Sequence, residues 1–186
     1  MLPTASDQRA VTPVVGVVLL VGVAVVLAST LGAFALGLTD GVPERGPMVR
    51  TEAEPLAAYA LGGGQEQEVR ITHEGGEPVA VEHLSIVVVV PSADTRSRLV
   101  GFPVAADRLT AANVDGPDFF DERYGETVGP ISTDTPDTDG RWSAGDTVGF
   151  RITSGDVELD SGDRVEVLFV HTPSGTVFAA ETLVAR

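Results

Sequence analysis

The chain has 186 residues, 12 Lys+Arg against 27 Asp+Glu, a formal net charge of -15 and no cysteine. Without cysteine there is no disulfide framework, thiolate metal site or thiol nucleophile, and so strong a negative charge repels phosphate backbones, so no nucleic-acid partner is expected. A mean hydropathy of +0.18 is high for so acidic a sequence, which means that the apolar residues are concentrated in one place.

That place is the N-terminal region. A polar leader, residues 1–10, ends in Arg9-Ala10, and from Ala10 through Thr39 no side chain is charged. A span needs roughly 20 apolar residues to cross a bilayer, so residues 11–39 are expected to form a membrane-spanning or filament-core helix. Its central run, from Val14 to Leu27, is apolar on all sides and offers no stripe of the kind a soluble core requires. The simplest topology keeps the short leader in the cytoplasm and the long acidic remainder outside the cell membrane.

Small residues recur along this segment at a spacing of four, at Ala24/Ala28, Ala28/Gly32 and Ala33/Gly37, with Gly16 and Gly22 further toward its start. That spacing makes seams where another helix backbone can approach closely. Three processing readings stand open: a secretory signal peptide cut after Ala33-Phe34-Ala35, an uncleaved single-span anchor, and a leader cut on the cytoplasmic side of the helix. The apolar run is long for the first, since a secretory apolar region is typically about 7–15 residues.

Downstream, Gly41, Pro43, Gly46 and Pro47 break any continuing helix, so 40–48 reads as a linker and 49–186 as one acidic exposed domain. Its apolar pattern has period two at Val69/Ile71/His73 and Val79/Val81, and is continuous over Ile86 to Val90 before Pro91. Val148/Phe150/Ile152 and Val165/Val167/Phe169 alternate again, and Thr172-Pro173-Ser174-Gly175 turns the last of these into a closing hairpin with Val177 and Leu183. Further strands are expected at Leu56 to Leu61 and Arg98 to Val104. The fold class is therefore an N-terminal hydrophobic α-helix followed by an all-β domain, an Ig-like or Greek-key β-sandwich of about seven strands. The Thr/Asp/Gly/Pro-rich stretch 113–141 reads as a long distal loop.

The segment Arg9-Ala10-Val11-Thr12-Pro13-Val14-Val15-Gly16-Val17-Val18-Leu19, with Gly32-Ala33-Phe34-Ala35-Leu36-Gly37-Leu38 after it, resembles the N-terminus of archaeal type IV pilins, especially those of haloarchaea. Val69-Arg70-Ile71-Thr72-His73-Glu74-Gly75-Gly76-Glu77 and Gly145-Asp146-Thr147-Val148 are similar to patches of the same family. Thr12 stands where that family usually has Ser. Bacterial type IV pilins carry a Glu where this chain has Val15.

The resemblance implies cleavage by a prepilin peptidase between Ala10 and Val11, then polymerisation with itself and other pilins by an assembly ATPase and a membrane platform. The product would be a surface filament, a pilus, for adhesion or cell contact. All 12 basic residues are arginine, and with so many acids this composition suggests a halophilic habitat, where molar salt shortens the Debye length to about 3 Å and screens like charge.

No nucleophile elbow, phosphate-cradling loop or zinc-protease motif occurs, so neither an enzyme nor a cofactor is expected. The nearest approach to a metal site is Thr135 to Asp146, where Asp137, Asp139 and Asp146 mimic part of a calcium loop without its first ligand or its closing Glu. His73 and His83 are expected on neighbouring strands, half exposed. Trp142, Phe119, Phe120 and Tyr124 either plug the end of the sandwich or make a contact patch. The single Asn, Asn113, is followed by Val114-Asp115, which is not an N-glycosylation sequon.

Overall fold

The computed structural model describes residues 11–37, 45–60, 67–123, 127–133, 139–153 and 155–186. The chain divides into two units, 1–43 and 44–186.

In the first unit, α1 (Val11–Gly37) is one unbroken helix of 27 residues, about 40 Å long at 1.5 Å per residue. Pro13 sits in the first turn, where a missing N–H costs no intrahelical bond. Two hydroxyls near its far end turn back on the helix, Ser29 Oγ donating to Val26 O (2.8 Å) and Thr30 Oγ1 to Leu27 O (2.9 Å). Their polarity is thus absorbed by the backbone, which keeps the surface of the helix apolar.

The second unit is antiparallel β. One sheet has three strands in the order β1 (Val49–Ala53), β2 (Glu68–Gly76), β8 (Thr147–Arg151). The other has five, in the order β10 (Thr176–Val184), β9 (Arg164–His171), β4 (Leu84–Val90), β5 (Thr95–Leu99), β6 (Val114–Asp115). A short ribbon joins β3 (Val79–Ala80) to β7 (Arg141–Trp142). Seven of these strands have five residues or more.

Period two decides what faces inward. Val69, Ile71 and His73 of β2 are buried while their neighbours are not, and Val165, Val167 and Phe169 of β9 do the same from the facing sheet. The apolar ones among them share one hydrophobic cluster with Ile86, Val88, Val148 and Phe150. β4 is the middle strand of the larger sheet, paired with β5 on one side and β9 on the other, and its Ile86, Val88 and Val90 face the core.

Several expected elements differ. Leu56 to Leu61 is not a strand: Leu56 makes an isolated parallel bridge to Ala185 and is a buried plug, while Leu61 lies outside the described residues. The first strand is Val49–Ala53, whose charged alternate positions hide it from an apolar pattern. The strand expected at Arg98 to Val104 is Thr95–Leu99. The stretch 113–141 is not simply a distal loop either. Residues 124–126 and 134–138 are outside the described set, but Phe119, Phe120 and the 3-10 turn Gly129–Ile131 are buried in the core.

Buried polar groups hold the loops. Gln67, wholly buried, donates from Nε2 to Ile152 O (3.1 Å) and Val157 O (2.8 Å) and accepts from Leu159 N at Oε1 (2.8 Å). At the start of the unit Met48 N donates to Glu77 Oε2 and Glu77 N to Met48 O, both at 2.9 Å, so the chain is pinned to the end of β2 just before β1 begins.

Candidate assembly helix and the surfaces of the β unit

Every large apolar side chain of α1 from Val14 to Leu31 is between 50% and 71% exposed. A helix apolar all round cannot remain so in water, and needs lipid or other apolar helices around it. The stretch Val14–Ala33 is long and apolar enough to cross a membrane. Helical geometry sorts its small residues. Ala24, Ala28 and Gly32 follow one another at steps of four along one face, whereas Gly22 and Ala33, about three turns apart, share another. Gly16 lies off both. Gly37 closes the Ala33/Gly37 step at the end of the helix. At Gly16, Gly22 and Gly32 an added Cβ would meet nothing within 4 Å, so nothing within the chain itself requires glycine there.

Residues 9–51 match the archaeal type IV pilin N-terminal family. The matched pilin segment runs from the last two leader residues through α1 to the first strand, and leaves most of the β unit outside it. An uncharacterized protein of Archaeoglobus fulgidus is 26% identical over 88 residues, which is 47% of this chain and 57% of that protein. The chain thus spans just over half the length of that relative. The N-terminal segment is therefore similar to that of archaeal type IV pilins, and its helix is long and apolar enough to cross a membrane. Of the expected cleavage residues, Arg9 and Ala10 lie outside the described residues and Val11 is the first residue of the described helix.

On the β unit, Trp142, Phe119 and Phe120 are buried and serve as plugs rather than as a contact patch, and Tyr124 lies outside the described residues. Trp142 stacks at 4.6 Å on Phe169 and donates from Nε1 to Asp146 O (3.0 Å). His73 is not half exposed but fully buried, edge-on to Trp142 at 5.4 Å. Nor does it meet His83, which ends the 3-10 turn Val81–His83 leading into β4, a strand of the other sheet. His83 instead meets His171 edge-to-face at 5.8 Å, since register sets Leu84 opposite His171. Nothing in the sequence signals that pair, whose members are far apart in the chain.

The calcium-like residues behave as turn caps. Asp139 Oδ1 accepts from Arg141 N (2.9 Å) and Asp146 Oδ2 from Ser143 N (2.8 Å), while Asp137 is outside the described residues. Among the described residues no group of three or more His, Asp or Glu is placed to hold a metal ion.

Asp118, Asp121, Glu122, Arg123 and Asp156 line an open acidic cleft. Within it Arg123 Nε donates to both carboxylate oxygens of Asp121 (2.9 and 2.8 Å), and this hydrogen bonding holds Asp121 below the usual carboxylate range against the opposing effect of burial. On β2, the hydrogen bond from Arg70 to Glu68 (2.9 Å) raises the guanidinium above its ordinary value, with Glu54 at 3.4 Å adding to it.

Proposed function

We propose that this chain is a pilin subunit that is cut between Ala10 and Val11 by a prepilin peptidase and polymerises through α1 into an extracellular filament, with the acidic β unit on the outside serving adhesion or cell contact. The observation that carries this reading is a 27-residue helix with no charged residue, whose large apolar side chains from Val14 to Leu31 are all exposed, set in a segment that matches the archaeal pilin N-terminal family. Such a helix is stable in a bilayer before assembly and among other apolar helices after it, so one element serves both states.

The seams Ala24/Ala28/Gly32 and Gly22/Ala33/Gly37 are the contact lines of that bundle, and Gly16 lets a neighbour approach near its start. Other pilins, an assembly ATPase and its membrane platform are the partners this reading requires. No catalytic step is assigned. The abundance of acids beside an all-arginine basic set accords with a halophilic habitat, where a charge of -15 keeps the outer surface hydrated at little cost in stability.

A second reading has a specific observation behind it: Val14–Ala33 alone suffices as a membrane span, so an uncleaved anchor would display the same β unit as a monomer. The N-terminus of the mature chain separates the two. Filaments sheared from the native host and mapped by mass spectrometry give a first peptide beginning at Val11 under the pilin reading. A chain beginning at Met1 or Leu2 and confined to membranes supports the anchor instead.

A further inference from the structure

The outward face of the five-stranded sheet carries charge of the opposite sign to the rest of the chain. Register fixes which residues share it: Arg96 lies opposite Val89, Arg98 opposite Val87, and Arg164 opposite Val184. Leu168, beside Val87 on β9, belongs to the same face. Val87 is buried, Val89 and Leu168 are half-buried and Val184 is 39% exposed, with Glu166 beside Val89, so the face presents a few partly exposed apolar side chains flanked by arginines.

The carboxylates that the register sets on this face are Glu166 and Asp115. Neither is within ion-pair distance of an arginine, and among the described residues Arg96, Arg98 and Arg164 make no ion pair. Three arginines without an ion-pair partner thus share one sheet face.

We propose that this face is a docking surface for the acidic surface of a second copy of the chain. The inference rests on the polymer reading above. In a filament of one chain every β unit meets copies that also carry a net charge of -15, and carboxylates brought within about 3 Å of one another at a contact still repel in molar salt. A face of apolar side chains flanked by arginines removes that repulsion, because guanidinium groups pair bidentately with carboxylates and their weak hydration makes them cheap to bury at an interface. With Arg96, Arg98 and Arg164 against Glu166 and Asp115 the face is net positive, so its complement is the acidic surface elsewhere on the chain rather than a second copy of itself. The contact is therefore head-to-tail between unlike surfaces, the kind that propagates as an open array instead of closing as a two-fold dimer.

The test uses the full-length chain in its native host. Arg96→Glu/Arg98→Glu is expected to leave the amount of chain in the membrane unchanged and to lower the yield of sheared filaments about tenfold, from charge repulsion at the contact. A second variant keeps the question decidable if that one misfolds. The chain has no lysine, so Arg96→Lys/Arg98→Lys introduces its only side-chain amines.

Carbodiimide treatment of filaments of this second variant, assembled from a mixture of isotopically light and heavy chains, is expected to give mixed-label peptides joining position 96 or 98 to a carboxylate of another copy. Wild-type filament yield from the glutamate variant, or cross-links confined to one copy or made to a different protein, would overturn the inference and leave the polymer reading intact. Absence of the wild-type chain from filaments would overturn both.

Discussion

Replacing Gln67 by alanine is the sharpest test of how the β unit is held together. Its side chain is wholly buried and satisfies three backbone groups from the loop after β8: the carbonyls of Ile152 and Val157 and the N–H of Leu159. Alanine removes all three hydrogen bonds and leaves those groups without partners in a dry site. Each such bond is worth about 1 kcal/mol net, and each orphaned group costs about 1–3 kcal/mol unless water enters or the loop relaxes. A total of about 3–5 kcal/mol follows, a large share of the roughly 5–15 kcal/mol that stabilises a domain. At about 2–4 °C per kcal/mol for a unit of this size, the midpoint of thermal unfolding falls by about 6–20 °C.

Gln67→Glu is worse at neutral pH, because a carboxylate cannot donate to two carbonyls and buries its charge. Urea and thermal unfolding of the 44–186 unit, with hydrogen exchange read at Leu159, measure both. A loss below about 1 kcal/mol in Gln67→Ala would refute the reasoning, since surface substitutions without a structural role fall within about that range.

Other expectations are equally specific. Gly32→Leu leaves the isolated helix unharmed, because no atom of the chain lies within 4 Å of the position a Cβ would take, so reduced filament yield at unchanged membrane level would report packing between chains. Unchanged yield would count against the Ala24/Ala28/Gly32 seam. Gly129 has φ +82 and a Cβ there would collide with the carbonyl oxygen of Thr147, whereas Gly145, at φ +97, faces open space. Alanine at 145 should therefore cost about 1–2 kcal/mol from backbone strain alone, and alanine at 129 clearly more, in the same unfolding assay.

The carboxyl of Asp121 titrates below its unfolded value when folded, so the stability it contributes is fully present above about pH 4 and is lost as pH falls through the depressed folded value. Wild type and Asp121→Asn should thus differ in stability by a constant amount near neutral pH and converge in acid. A difference that persists undiminished at pH 2 would contradict the assignment.

The parts legible in the sequence are those where a single physical pattern dominates. Absence of charge over 30 residues fixes α1, and alternation fixes β2, β8 and β9, because burial on one face selects every second residue. Ile86 to Val90 reads as a buried strand from its continuous apolar run. Val49–Ala53 was not legible, since Arg50, Thr51 and Glu52 give it no apolar repeat and it takes its place by pairing with β2.

Leu56 looked like the start of a strand but is a single plug held by Ala185 at the far end of the chain. Phe119, Phe120 and Ile131 sit among turn-forming residues, so composition made their stretch look wholly exposed although its aromatic side chains fill the core. The meeting of His83 with His171, and the gathering of Arg96, Arg98 and Arg164 on one face, depend on which strands are neighbours. That is a property of topology and register, which local pattern does not contain.

The account stands most directly on where the mature chain begins. Mass spectrometry of filaments sheared from the native host should find this chain with a first peptide starting at Val11 and none starting at Met1. A chain found solely in membranes with its leader intact would contradict the filament reading, and one beginning at Leu36 would mean simple secretion after loss of the helix.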